Sequence, residues 1–179
     1  MPRSRLETTI QIREETFSGD RPSCPLRCKC RLHRHGSYSR YDVTARAQGT
    51  FQVQRFLCPH CGHTVSVLPA NRLPYRPIQV DRLQTDFDQR AEIHCGLDPP
   101  PDLIEASCLH RAWKRLQTRV VRLKDRFGQL LPAGINTAQH LWKQVRWRLH
   151  SAESILRFLA QPFHTSLLAD YRCLQPPRR

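Results

Sequence analysis

The chain has 179 residues, 39% of them apolar and 8% aromatic, with 29 Lys and Arg against 15 Asp and Glu for a formal charge of +14. That length suits one domain or a small module joined to a second, and so large a basic excess points to a polyanion as partner. No run of about 18 apolar residues exists, which excludes a membrane-spanning helix, and the charge is not one tail: residues 1–80 carry 13 Lys and Arg against 5 acids, residues 81–179 carry 16 against 10.

No export signal opens the sequence, since Leu6-Glu7-Thr8-Thr9-Ile10 is polar and mixed. Eight cysteines in such a chain belong in a reducing, cytoplasmic compartment, where closely spaced pairs suggest metal rather than disulfides. Residues 6–17 alternate roughly as a strand does. Residues 24–68 are rich in Cys, His, Arg and β-formers, with Thr50 to Phe56 alternating at period two and Thr64 to Leu68 reading as a further strand. Proline marks a connector over 69–78 and a break from Gly96 to Pro101.

Between and beyond these breaks the pattern turns helical. A helix over 79–94 places Ile78, Leu83, Phe87 and Ala91 inward. Over 102–127, Leu109, Trp113, Leu116, Val120, Leu123 and Phe127 form an unbroken apolar stripe, with Asp102 placed to cap the start and Gly128 to end it. A third helix is expected over 137–160, its inner face Leu141, Val145, Leu149, Ala152, Leu156 and Leu159, ended by Pro162. The expected domains are therefore 1–76, 77–162 and a basic tail, 163–179.

The cysteines carry the sharpest local signal. Cys58-Pro59-His60-Cys61-Gly62 sets two thiolates two residues apart, a spacing that lets both reach one ion, with glycine allowing the tight turn behind them. A closed zinc site needs four ligands, and Cys24-Pro25-Leu26-Arg27-Cys28 supplies the other pair. One structural Zn2+ on Cys24, Cys28, Cys58 and Cys61 is the expectation. Cys30 stays an alternative to Cys24 or Cys28, although one intervening residue is a poor chelate spacing. A second group, His94, Cys95, Cys108 and His110, has suitable residue types. Its members sit adjacent or one apart, however, so their side chains diverge, and incidental helix cysteines and surface histidines are the simpler account.

Arginine is distributed as nucleic-acid binding requires. Arg111, Lys114, Arg115, Arg119 and Arg122 fall in a helix segment, 107–128, with seven Lys and Arg against the single Asp125. A face that merely solvates a helix usually mixes signs. In the cysteine-bearing region Arg31, Arg34, Arg40 and Arg55 are interleaved with His35 and Tyr38, and guanidinium groups among rings can pair phosphates and stack on bases. No phosphate-cradling glycine loop is present, and the acids Asp86, Asp88, Asp102 and Glu105 do not sit where strands of a larger sheet would gather them around a catalytic metal. With the thiolates closing the metal's coordination shell, the expectation is a binding protein and not an enzyme.

The segment Arg34-His35-Gly36-Ser37-Tyr38-Ser39-Arg40, followed by Cys58 to Pro69 and then Leu73-Pro74-Tyr75, resembles a zinc-ribbon domain of bacterial transposon-associated proteins. The likeness covers residues 24–76. The chain departs from that pattern in carrying one more residue between Cys24 and Cys28, and Cys30 where glycine is usual. Ser107-Cys108-Leu109-His110-Arg111-Ala112-Trp113 is similar to the start of a recognition helix in transposase helix-turn-helix modules. The resemblance implies a DNA-binding accessory or regulatory factor of a mobile genetic element, nucleoid-associated in a bacterial cytoplasm, working beside a transposase or similar protein. The whole is expected to be an α+β protein: an N-terminal zinc ribbon of short antiparallel strands, then a helical half with a candidate helix-turn-helix. An interaction adaptor whose apolar helix stripes dock on a protein is the alternative, and RNA is the alternative polymer.

Overall fold

A computed structural model describes residues 9–13, 21–24, 26–42, 49–69, 71–73, 76–93, 102–163 and 165–169. These form an α+β fold, a sheet followed by helices: β1 (Thr9–Arg13), β2 (His33–Asp42), β3 (Gly49–Leu57), β4 (Thr64–Leu68), α1 (Val80–Arg90), α2 (Leu103–Phe127), α3 (Ala138–Leu149) and α4 (Ala152–Phe163). The sheet order is β1-β4-β3-β2. β2, β3 and β4 run antiparallel, as the ribbon pattern predicts. β1 adds to the edge in parallel, Ile10 opposite Val65 and Ile12 opposite Val67, a pairing that needs a long connection, which the chain supplies by passing through β2 and β3 first. β4 is therefore central, and all five of its residues are buried.

The period-two pattern of β3 does not sort cleanly into an inner and an outer face. Val53 and Phe56, three residues apart and so on opposite faces, are both buried. Phe56 joins Cys24, Leu32, Cys58, Val65 and Val67 in a small core beneath the cysteines. In β2 the register slips between Arg34, opposite Phe56, and Ser37, opposite Gln54. Three steps on one strand against two on the other make a bulge. Gly36 takes it up with φ of +102°, a conformation that costs a side-chain-bearing residue about 1–2 kcal/mol. An added Cβ at Gly36 meets nothing within 4 Å, so the cost of Gly36→Ala is conformational alone. Thermal melting should show the N-terminal sheet destabilised by about 1–2 kcal/mol, and an unchanged transition would mean that the bulge does not form.

The helical half has its own, larger core. Ile78, Leu83, Phe87 and Ala91, and all six stripe residues of α2, are buried in it as the spacing predicts. Phe87 meets Trp113 and Trp142 edge-on, with ring centroids 5.0 and 5.1 Å apart. Asp102 caps α2, accepting from the Glu105 amide at 2.7 Å, and Gly128 ends it at φ of +50°.

The single helix expected over 137–160 is two helices. His150 turns left-handed at φ of +63°, closing α3, and the Ser151 hydroxyl accepts from the Ser154 amide at 3.0 Å to start α4. The break brings Trp142 and Ile155, absent from the expected inner face, fully into the core. α4 reaches Phe163 rather than stopping at Pro162, and Leu167 and Leu168, assigned by pattern to a tail, are buried in the helical core. The segment from Ser107 to Trp113 lies inside the 25-residue α2 rather than at a helix start, and its Leu109, Ala112 and Trp113 face the core. The expected break at 96–101 lies outside the described residues.

Candidate metal centre and basic surface

Two turns bring the four cysteines together. After β3, the Gly62 amide donates to the Cys58 carbonyl at 2.9 Å and the Cys58 amide to the His63 carbonyl at 3.0 Å, with Gly62 at φ of +70°. Upstream, the Arg27 amide donates to the Cys24 carbonyl at 2.9 Å, and Arg27 itself is left-handed at φ of +57°. The thiol groups of Cys24, Cys28, Cys58 and Cys61 all lie within 4.8 Å of one another. All four cysteines are free thiols, and the Cys24 and Cys61 sulfurs are 3.8 Å apart. Four sulfurs each about 2.3 Å from a tetrahedral ion stand about 3.8 Å from one another, the separation of Cys24 and Cys61, so the cluster is of a size that could hold one metal ion. Among the described residues no other group of His, Cys, Asp and Glu converges in this way.

The electrostatics of the cluster favour a cation. Burial pushes the Cys28 and Cys61 thiols up, and donation between neighbouring thiols adds to it. Cys30 is pushed up by its hydrogen bond with Cys58 and then by burial. Cys58 goes down, to about 6: burial opposes its ionisation, but the Cys61 and His60 amides and the Cys30 and Cys61 thiols outweigh that by donating to it. A divalent ion bound by the four sulfurs would replace their protons with a charge that all four share. An ion held by all four thiolates would have no position left for water.

Cys30, the expected ambiguity, has its sulfur 3.2 Å from that of Cys58 but is not one of the mutually close four. Cys108 is half-buried on α2 and His110 exposed there, while His94 and Cys95 lie outside the described residues.

The arginines divide into three groups. Arg31, Arg34 and His35, at and beside the start of β2, are exposed, as are Arg111, Lys114, Arg115 and Arg122 along α2. Tyr38, Arg40 and Arg55 are half-buried on one face of the sheet, Arg55 over the Tyr38 ring at 5.9 Å and Arg40 over Phe51 at 6.0 Å. Arg119 departs from the expected surface. It is buried, and one guanidinium nitrogen donates to the Thr165 hydroxyl at 2.8 Å and reaches the Ser166 carbonyl at 3.4 Å, so it anchors the segment after α4 and does not face solvent. The carboxylates are engaged as well: Asp86 with Arg90, Glu105 with Arg82, and Asp88 with Trp142 and Arg146.

Sequence reasoning missed Arg72 and Arg76, two arginines of the proline connector. Arg72 lies over the Phe51 ring at 4.7 Å, and the Arg76 carbonyl accepts from Arg40 at 3.3 Å. It also missed the pair on α3 formed by Trp147, 67% exposed, and Arg148 stacked on it at 4.5 Å. Irregular connectors have no period to betray them, whereas an acid-free α3 with a tryptophan on its outer face was a visible signal. No helix among the described residues is long and apolar enough to cross a membrane. No family model, curated protein or solved structure matches this chain.

Proposed function

We propose that this chain is a DNA-binding protein whose N-terminal sheet is fixed by one structural zinc ion, and that it works by binding rather than by catalysis. The observation that carries the proposal is the convergence of four thiols directly before and after the two strands, β2 and β3, that present the arginine-bearing face. Zinc is the choice of metal because four thiolates in a tetrahedron suit it and need no redox partner. Support for a polyanion comes from α2, where Arg111, Lys114 and Arg115 are exposed and form no ion pair with any acid among the described residues. Of the acids considered for metal catalysis, Glu105 and Asp88 pair with arginines of other helices, Asp86 pairs within α1 and Asp102 caps α2. A role as accessory or regulatory factor of a mobile element, beside a transposase, rests on the resemblance of residues 24–76. A helix-turn-helix in the helical half rests only on the resemblance of Ser107 to Trp113, a segment interior to α2 whose Leu109, Ala112 and Trp113 are buried.

Binding to a duplex of mixed sequence is expected to weaken steeply with salt, the log–log slope growing by about 0.9 for each phosphate neutralised. Titrating labelled DNA and RNA duplexes and matched single strands of each at several salt concentrations tests this and separates DNA from RNA. Salt-insensitive binding to a protein partner would favour the adaptor reading instead.

A further inference from the structure

The cysteine cluster holds one thiol more than a tetrahedral ion needs. Cys24, Cys28, Cys58 and Cys61 suffice for four-coordination, yet Cys30 places its sulfur 3.2 Å from that of Cys58. That is closer than the 3.8 Å between Cys24 and Cys61, two of the four. The register of the sheet makes this contact. His33 pairs with Leu57 at the end of the β2–β3 ladder, so the chain entering β2 and the chain leaving β3 run beside each other and bring Cys30 to Cys58. Both are free thiols, and sulfurs at this distance need to approach by only about 1 Å more to form a disulfide. Exposure differs across the pair. Cys58 is fully buried, whereas Cys30 is half-buried at the edge of the same small core. Cys30 is therefore the sulfur that a small solute reaches first, and Cys58 is its nearest neighbour on the inside.

We propose that Cys30 is a site of oxidative modification that acts on the metal: hydrogen peroxide joins it to Cys58 in a disulfide, and the ion, short of one ligand, leaves. In the first step the Cys30 sulfur attacks a peroxide oxygen. The O–O bond breaks, an S–O bond forms, and the thiol proton departs with the displaced hydroxide as water. In the second step the Cys58 thiolate attacks the Cys30 sulfur. An S–S bond forms, the S–O bond breaks, and the leaving hydroxide takes a proton from solvent to give a second water. The two sulfurs together lose two electrons, and peroxide gains them. Thiolate is the ligand form of cysteine, so three ligands remain for an ion that needs four. The proposal rests on the zinc reading of the cluster and adds a reversible means of release, since reduction restores the Cys58 thiolate.

The test uses the full zinc-loaded chain, Cys30→Ser and, as a control outside the cluster, Cys108→Ser. Hydrogen peroxide is added in steps while a zinc-binding dye reads released ion and mass spectrometry maps cross-linked peptides. The parent and Cys108→Ser should release zinc as a cross-link between Cys30 and Cys58 accumulates, and both should reload after treatment with a thiol reductant. Cys30→Ser should hold as much zinc as the parent before treatment and release it about 10-fold more slowly, because Cys58 has lost a partner held at high effective concentration. Equal release from Cys30→Ser, or a cross-link that joins other cysteines, would overturn the proposal and leave the zinc reading intact. A Cys30→Ser chain that takes up no zinc would make Cys30 a ligand and overturn the proposal as well. A folded parent that holds no zinc would overturn the zinc reading and the proposal together, and this is seen before any peroxide is added.

Discussion

Cys58→Ser is expected to abolish metal binding and unfold the N-terminal sheet, while the helical bundle stays folded. The sheet's core under the cysteines is small: Leu32, Phe56, Val65 and Val67 with the two buried thiols Cys24 and Cys58 themselves. So little apolar surface cannot offset the entropy of ordering the chain around it. Metal binding to such a site contributes about 10–16 kcal/mol in small zinc modules, as much as the roughly 5–15 kcal/mol net stability of an ordinary domain, so loss of one ligand is expected to decide whether the sheet folds. Cys58 is the most consequential of the four. It is fully buried, its backbone closes the turn with Gly62 and His63, and its sulfur is the one readily ionised. The bundle has a separate core, and Trp113, Trp142 and Trp147 are the chain's three tryptophans, so tryptophan fluorescence reports the bundle alone. Amide exchange should show β3 and β4 unprotected in the variant with the tryptophan melting curve unmoved. Cys30→Ser, which removes the neighbouring thiol outside the four, should keep both metal and sheet. Protected β3 and β4 amides in metal-free Cys58→Ser would show that the sheet folds without the site.

Asp88→Ala should have the largest effect on the bundle. Asp88 is 6% exposed and accepts from the Trp142 indole at 2.7 Å and from Nε and Nη2 of Arg146, each at 3.0 Å. The pair ties α1 to α3, and Arg146 also donates to the carbonyl of His150, the left-handed residue that closes α3. Removing the carboxylate leaves a largely buried guanidinium without its counter-charge and a buried indole N–H without an acceptor. Breaking one side of such a pair costs about 3–5 kcal/mol, which for a bundle of this size is a fall of roughly 15 °C in melting temperature. Tryptophan fluorescence, with Trp142 at the site itself, follows it directly. A fall of only a degree or two would mean that water replaces the carboxylate at little cost.

What could be read from the sequence was what is local. Chelate spacing is a property of a few consecutive residues, so Cys58 and Cys61 declare themselves, and the matched Cys24 and Cys28 meet them at the expected distances. The stripe of α2 was legible for the same reason, as were its cap at Asp102 and its end at Gly128. The break at His150 was not legible, because the apolar positions of α3 and α4 stay nearly in phase across it and only the Ser151 cap gives it away. The parallel edge strand β1 pairs with residues more than fifty positions ahead, which no local pattern encodes. Arg119 illustrates the limit best. Spacing places it on the arginine face, but what covers that part of the face, Thr165 and Ser166, arrives from beyond α4. Arg76 was hidden in the opposite sense: its connector has no period, and its contact with Arg40 arises only in the fold.

If four thiolates hold a metal and the metal holds the arginine-bearing sheet in shape, elemental analysis of the folded full chain, purified without added metal or chelator, should find one zinc ion per chain. The β3 and β4 amides should then lose protection when a strong chelator removes it. A protein folded throughout without bound metal would show that the sheet needs no ion.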